Sequence, residues 1–105
     1  MGVRKLEKVM EEKQQQSYQE LEDFLIHMAS MVVDHPEEIV VEPAKGNGFV
    51  AFEVVCDDSD TGTLIGRRGK HAEAIRTMMM AAGAVRGIRV TVQIVSREQD
   101  GLPAR

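Results

Sequence analysis

The 105-residue chain contains no tryptophan, one tyrosine, three phenylalanines and a single cysteine. One cysteine, Cys56, excludes an internal disulfide and a multi-thiolate zinc site. So few aromatic rings argue against a sheet that stacks bases on paired aromatics. No apolar run approaches the ~18 residues of a membrane span, and no signal-peptide pattern opens the chain. The three histidines, His27, His35 and His71, lack any ligand spacing, so no metal site is expected. Asp57, Asp58 and Asp60 lack calcium-loop spacing and a closing Glu, and read instead as helix caps. No nucleophile–base arrangement and no carboxylate pair destined for a cleft is visible. The expectation is a soluble, cytoplasmic, non-enzymatic domain without cofactor, membrane contact or small-molecule substrate.

What the chain does have is enough apolar content, 43%, to bury a core, in a length that supports one domain. Its net charge of −4 conceals an asymmetry. Residues 1–60 carry 5 Lys+Arg against 14 Asp+Glu, a net −9, and residues 61–105 carry 8 against 3, a net +5. Such segregation is a hint of nucleic-acid contact. On charge alone, mutual neutralisation of the two halves is the better account.

Residues 1–16 are rich in Glu, Lys and Gln. Val3, Leu6 and Met10 form a thin helical stripe there, fit for a frayed helix or a short coiled contact. This stretch is expected to be a mobile or helical extension outside the core. Ser17 and Glu20 form a capping box, and Leu21, Phe24, Leu25, Met28 and Val32 share one helical face, predicting a helix over 17–34 that Pro36 stops. Ile39, Val40 and Val41, closed by Pro43, read as an edge strand. Gly46-Asn47-Gly48 reads as a turn and 49–56 as a second strand, with Val50, Phe52, Val54 and Cys56 inward and the set containing Glu53 more exposed. A short helix to Ile65, a second over 70–83 with Ala72, Ile75, Met79 and Ala82 on one stripe, and a third strand over 88–95 complete the pattern. The tail, 97–105, is expected to be flexible. The order α-β-β-α-α-β requires strand three to run parallel to strand two. It implies an α+β fold, a three-stranded mixed sheet covered on one face by three helices.

The segment with chemistry in it is Leu64-Ile65-Gly66-Arg67-Arg68-Gly69-Lys70. Its glycines permit a sharp turn and a close backbone approach. The free N–H groups and positive dipole end of the following helix attract phosphate, and Arg67, Arg68 and Lys70 add charge. A P-loop is excluded, because Leu64 stands at its first glycine and His71 at its Ser/Thr. The dinucleotide fingerprint fails as well, since Leu64 lies two before Gly66.

Over residues 20–96 the chain resembles the KH domain in its type II-like element order, with Leu64-Ile65 preceding a GXXG turn between two helices. More narrowly, Val33-Asp34-His35-Pro36-Glu37-Glu38, the Leu64–Gly69 turn, Ala74-Ile75-Arg76-Thr77 and Val90-Thr91-Val92-Gln93-Ile94-Val95 resemble the KhpA family of small bacterial RNA-binding proteins. The resemblance implies single-stranded RNA binding, with Gly66, Arg67, Arg68 and Gly69 at phosphates, Leu64 and Ile65 (and Val54 beside them) flooring an aliphatic groove, and Lys70 and Arg76 extending a basic edge. It further implies an RNA chaperone or post-transcriptional regulator tied to cell-length and cell-wall control. Such a protein pairs as a homodimer, or as a heterodimer with a larger KH-containing protein. Ala72, where many KH domains carry a large aliphatic residue, and His71 beside it depart from the family pattern. The rival is a protein-interaction module with a vestigial GXXG loop, working through its helix surface and its extension. Within Met78-Met79-Met80, Met79 is expected in the core with an exposed neighbour, which makes the last helix a surface for dimerisation.

Overall fold

The computed structural model describes residues 2–96, with side chains from Arg4 onward. Its elements are α1 (Gly2–Ser30), β1 (Val40–Gly46), β2 (Phe49–Cys56), α2 (Asp58–Ile65), α3 (Lys70–Val85) and β3 (Arg89–Ser96). The sheet order is β1-β2-β3, with β1 antiparallel and β3 parallel to the central β2. This is the α+β, α-β-β-α-α-β architecture expected from the sequence.

The core follows from the period-2 and period-3.6 patterns. Along β2, Val50, Phe52, Val54 and Cys56 all point inward and are buried. Val55 departs from the exposed character expected of its alternate set. The parallel register sets it beside Val95, and the two valines are buried together. Ile88, Val90 and Val92 continue the core, and Leu21, Leu25 and Ala29 of α1 and Ile75 and Met79 of α3 close over it. At Gly83 α3 lies close against β3 and the residue before it. A Cβ there would stand 2.4 Å from Val90 Cγ2 and 2.5 Å from the Ile88 carbonyl oxygen.

Two boundaries differ from expectation for identifiable reasons. β1 runs through Pro43 to Gly46 because an edge strand tolerates a residue without an N–H. The first helix does not begin at Ser17. It is continuous from Gly2, since Glu, Lys, Gln and Met are good helix formers and no breaker lies between them and Ser17. Ser17 therefore sits mid-helix, and Glu20 accepts a hydrogen bond from Arg86 Nε at 3.3 Å instead of closing a box. The helix ends at Ser30, before a last turn that still buries Val33. Its middle is tied to β1 by Tyr18 Oη, which donates to the Gly46 carbonyl at 2.7 Å, and by Lys45 Nζ, which donates to Gln15 Oε1 at 3.1 Å. The tail, 97–105, and the side chain of Val3 lie outside the described residues.

Candidate nucleic-acid interface

The turn is built from the end of α2. Gly66 N–H donates to the Gly62 carbonyl at 2.9 Å, and at φ 81°, ψ 167° Gly66 then turns the chain out of the helix. Gly69 N–H bonds back to the Gly66 carbonyl at 3.0 Å, closing one tight 3-10 turn. Arg68 (φ 57°) and Gly69 (φ 71°) both adopt the left-handed conformation. Lys70 opens the 16-residue α3 immediately afterwards, which places that helix's free N–H groups at the turn. Arg67, Arg68 and Lys70 are exposed around it.

The remaining predicted residues divide. Ile65 is half-buried beside the turn. Leu64 and Val54, at 0% and 1% exposure, lie beneath the surface and support it without forming it. Arg76, one and a half turns along α3, donates from Nε to the Val92 carbonyl at 3.0 Å and so stitches α3 to β3 while its side chain stays exposed. Ala72 is a core residue, 2% exposed. His71 has a role that nothing in the motif reveals. Its Nδ1 donates to the Thr63 carbonyl at 2.7 Å, and its ring lies against Gly66, clamping the end of α2 to the start of α3 behind the turn.

A second fastening lies at the other end of α2. Asp57 caps the helix by accepting from Ser59 N–H at 3.2 Å and from the Ser59 hydroxyl. Asp60, grouped with the caps by sequence, is instead 1% exposed and reaches across to the segment after α1. It accepts from Asp34 N at 3.2 Å, His35 N at 2.8 Å and His35 Nδ1 at 3.1 Å. The side-chain hydrogen bond to Asp60 raises the His35 imidazole above its ordinary 6.5 against opposing desolvation, with the charges of Asp60, Asp57 and Glu37 adding to the rise. Burial pushes the Asp60 carboxyl up, but the backbone bonds from His35 and Asp34 and the His35 side chain outweigh it and hold the group below 3.8.

Because His35 is raised, its contribution to stability is complete below pH 6.5 and is lost as pH rises through the raised value. Because Asp60 is depressed, its contribution is complete above pH 3.8 and is lost as pH falls through the lowered value. Urea unfolding is therefore expected to show a lower midpoint at about pH 8.5 than at about pH 6, and His35→Gln should flatten that difference. A midpoint that falls as much between the two pH values in the His35→Gln variant as in the wild type would disprove the contribution of the His35–Asp60 contact.

Among the described residues no group of three His, Cys, Asp or Glu side chains is placed to hold a metal, and no helix is long and apolar enough to cross a membrane. Cys56 is buried, as its inward position on β2 requires, and desolvation raises its thiol.

A basic, glycine-bracketed turn between two helices of a three-stranded mixed sheet is the arrangement on which the comparison with known proteins bears. The KH domain of KhpA/KhpB matches residues 22–94, more than half of the chain. The chain belongs to this KhpA/KhpB family. The RNA-binding protein KhpA of Bacillus subtilis (strain 168) is 38% identical over 76 residues, which cover 72% of this chain and 94% of that protein. KhpA of Listeria monocytogenes (strain EGD-e) is 28% identical over 75 residues, 71% of this chain and 99% of its own length. KhpA of Chlamydia pneumoniae is 27% identical over 78 residues, 74% of this chain and all of its own. No solved structure matches. The KhpA/KhpB match contains the whole sheet up to Ile94, both helices at the turn and the second part of α1. The first 21 residues fall outside it.

Proposed function

We propose that the chain binds single-stranded RNA through the Gly66–Gly69 turn, as a cytoplasmic RNA chaperone or post-transcriptional regulator and not as an enzyme. The observation that carries this reading is the exposure of Arg67 and Arg68 on a turn that also presents the N–H groups of α3. Phosphates lie against the backbone of Gly66 and Gly69, with the two guanidinium groups and Lys70 supplying charge-assisted hydrogen bonds. Arg76 extends the basic edge. Ile65 offers an apolar rest for a base, held in place by Leu64 below. A KH turn clamps about four nucleotides, which suits unpaired strands and not the duplex. The relatives named above carry the description RNA-binding protein, which supports the same reading.

So small a footprint binds weakly. Pairing, with a second copy or with a larger KH-containing protein, raises the effective concentration of the second site. If phosphates carry the affinity, titrating salt against a labelled short single-stranded RNA is expected to give a log–log slope of about −2 to −3, from three to four neutralised phosphates. Between about 50 and 200 mM salt, binding then weakens roughly 15- to 60-fold. A slope near zero would transfer support to the protein-interaction reading with a vestigial loop.

A further inference from the structure

The helices pack on the face of the sheet where Val50, Phe52, Val54, Val90 and Val92 are buried. Alternation along the strands turns the other residues of β2 and β3 to the opposite face. Strand pairing sets that face in rows, among them Gly46–Phe49–Arg89, Ala44–Ala51–Thr91 and Glu42–Glu53–Gln93. The first of these rows joins an aromatic ring to a cation. The Phe49 ring lies across Gly46, where any side chain would collide with it, so it is held against β1 and is still 45% exposed. Beside it, Arg89 N–H donates to the Gly48 carbonyl at 2.9 Å, which fixes the residue at the hairpin turn while its side chain stands exposed. A seated ring next to a guanidinium suits single-stranded nucleic acid, because every base has a face to stack and every phosphate a charge to pair.

This corner is continuous with the glycine turn. α3 runs antiparallel to β3, with Arg76 at Val92 and Gly83 at Val90. Six helical residues separate Lys70 from Arg76, about 9 Å. Three strand residues separate Val92 from Arg89, about 10 Å. The cations of the turn, Arg76 and Arg89 therefore follow one line along the β3 border. The carboxylates nearby confine the site. Glu42 and Glu53 stand two rows away, about 13 Å along the same face, and repel a backbone that would continue across the sheet. The half of α1 that extends past Tyr18 sets Arg4, Lys5, Lys8 and Lys13 against Glu7, Glu11 and Glu12, and Arg86 is paired with Glu20. These neighbours together carry no net negative charge.

We propose that the Phe49–Arg89 corner is a second contact for the RNA strand held at the Gly66–Gly69 turn. A base stacks on the open face of the Phe49 ring, and Arg89 holds the phosphate beside it. The strand reaches the corner along the β3 border, past Arg76. The proposal rests on the RNA reading of the turn and extends its footprint beyond the roughly four nucleotides that such a turn clamps.

Fluorescence anisotropy of the full chain with labelled, random-sequence single-stranded RNAs of about four and about eight nucleotides tests it. Phe49→Leu keeps an apolar cover over Gly46 but has no ring to stack on. It is expected to weaken binding of the longer RNA at least about fivefold, the lower end of what stacking one base is worth, and to leave the shorter RNA unaffected. Phe49→Trp should preserve the affinity for the longer RNA, which a ring that served only to cover Gly46 would not require. Arg89→Gln should reduce the log–log salt slope by about 0.7, the share of one phosphate, for the longer RNA alone. Far-UV circular dichroism should be unchanged in all three variants. Placing Asp at both 67 and 68 should weaken both lengths, so failure of the RNA reading appears with the shorter RNA and failure of this one with the longer. Phe49→Leu and Arg89→Gln variants that bind the longer RNA within about twofold of wild type, or that weaken both lengths equally, overturn the proposal.

Discussion

Replacing both Arg67 and Arg68 with Asp is expected to weaken binding of short single-stranded RNA by at least about 100-fold and leave the fold intact. Hydrogen bonds to charged groups are each worth about 1.5–3 kcal/mol, so losing two costs about 3–6 kcal/mol, or roughly two to four decades in affinity. The introduced carboxylates add repulsion toward phosphate. The fold is spared for local reasons. Both side chains are exposed, and Arg68 occupies a left-handed conformation (φ 57°) that Asp tolerates better than most residues. Fluorescence anisotropy with a labelled RNA and far-UV circular dichroism on the same samples check the two halves of this expectation. An affinity within about twofold of wild type would sink the assignment of these arginines to phosphate.

Gly66→Ala is expected to be the most destabilising single change at the turn, by about 3–5 kcal/mol. Its φ of 81° with ψ of 167° falls in a region essentially restricted to glycine, which costs an alanine about 1–3 kcal/mol. In addition, a Cβ there would stand 2.6 Å from His71 Cγ and 2.8 Å from the His71 backbone N. Overpacking of this kind adds about 1–3 kcal/mol. A chain of this size should lose roughly 12 °C or more in Tm. Gly69→Ala is the informative contrast. Gly69 sits at φ 71°, ψ 18°, with nothing within 4 Å of where an alanine methyl would stand, so only the left-handed penalty of about 1–2 kcal/mol applies. Equal losses in the two variants would show that His71 does not clamp Gly66.

The same contrast explains what can be read from residues alone. The GXXG spacing, the aliphatic pair before it and the alternation of β2 are local patterns, and each appears where the sequence puts it. The burial of Asp60, the clamp by His71 and the stitch from Arg76 to Val92 join residues 8 to 26 positions apart, or unite a side chain with a backbone carbonyl. No local pattern specifies such pairs. Asp60 reads as a third cap because Asp57, Asp58 and Asp60 are equally good capping residues in isolation; only tertiary packing decides which of them turns inward. Aliphatic residues before GXXG suggest a groove floor that includes Leu64, but in a short helix such as α2 the face that meets the sheet takes Leu64 and leaves Ile65 at the surface. At Ser17 a good capping pair is overridden by the fifteen residues of α1 that precede it, most of them strong helix formers.

The stitch from Arg76 also bears on how the protein can associate. β3 is one border of the sheet, and Arg76 occupies one of its carbonyls. β1 is the other border, and Pro43 removes one of its donors. A partner strand that tried to extend the sheet at either side would meet a blocked rung. Neither border offers a clean template for strand addition, so growth into fibres by edge pairing is opposed at both sides. Association must then use other surfaces: the helices, the glycine turn or the open face of the sheet that carries Glu42, Ala51, Thr91 and Gln93.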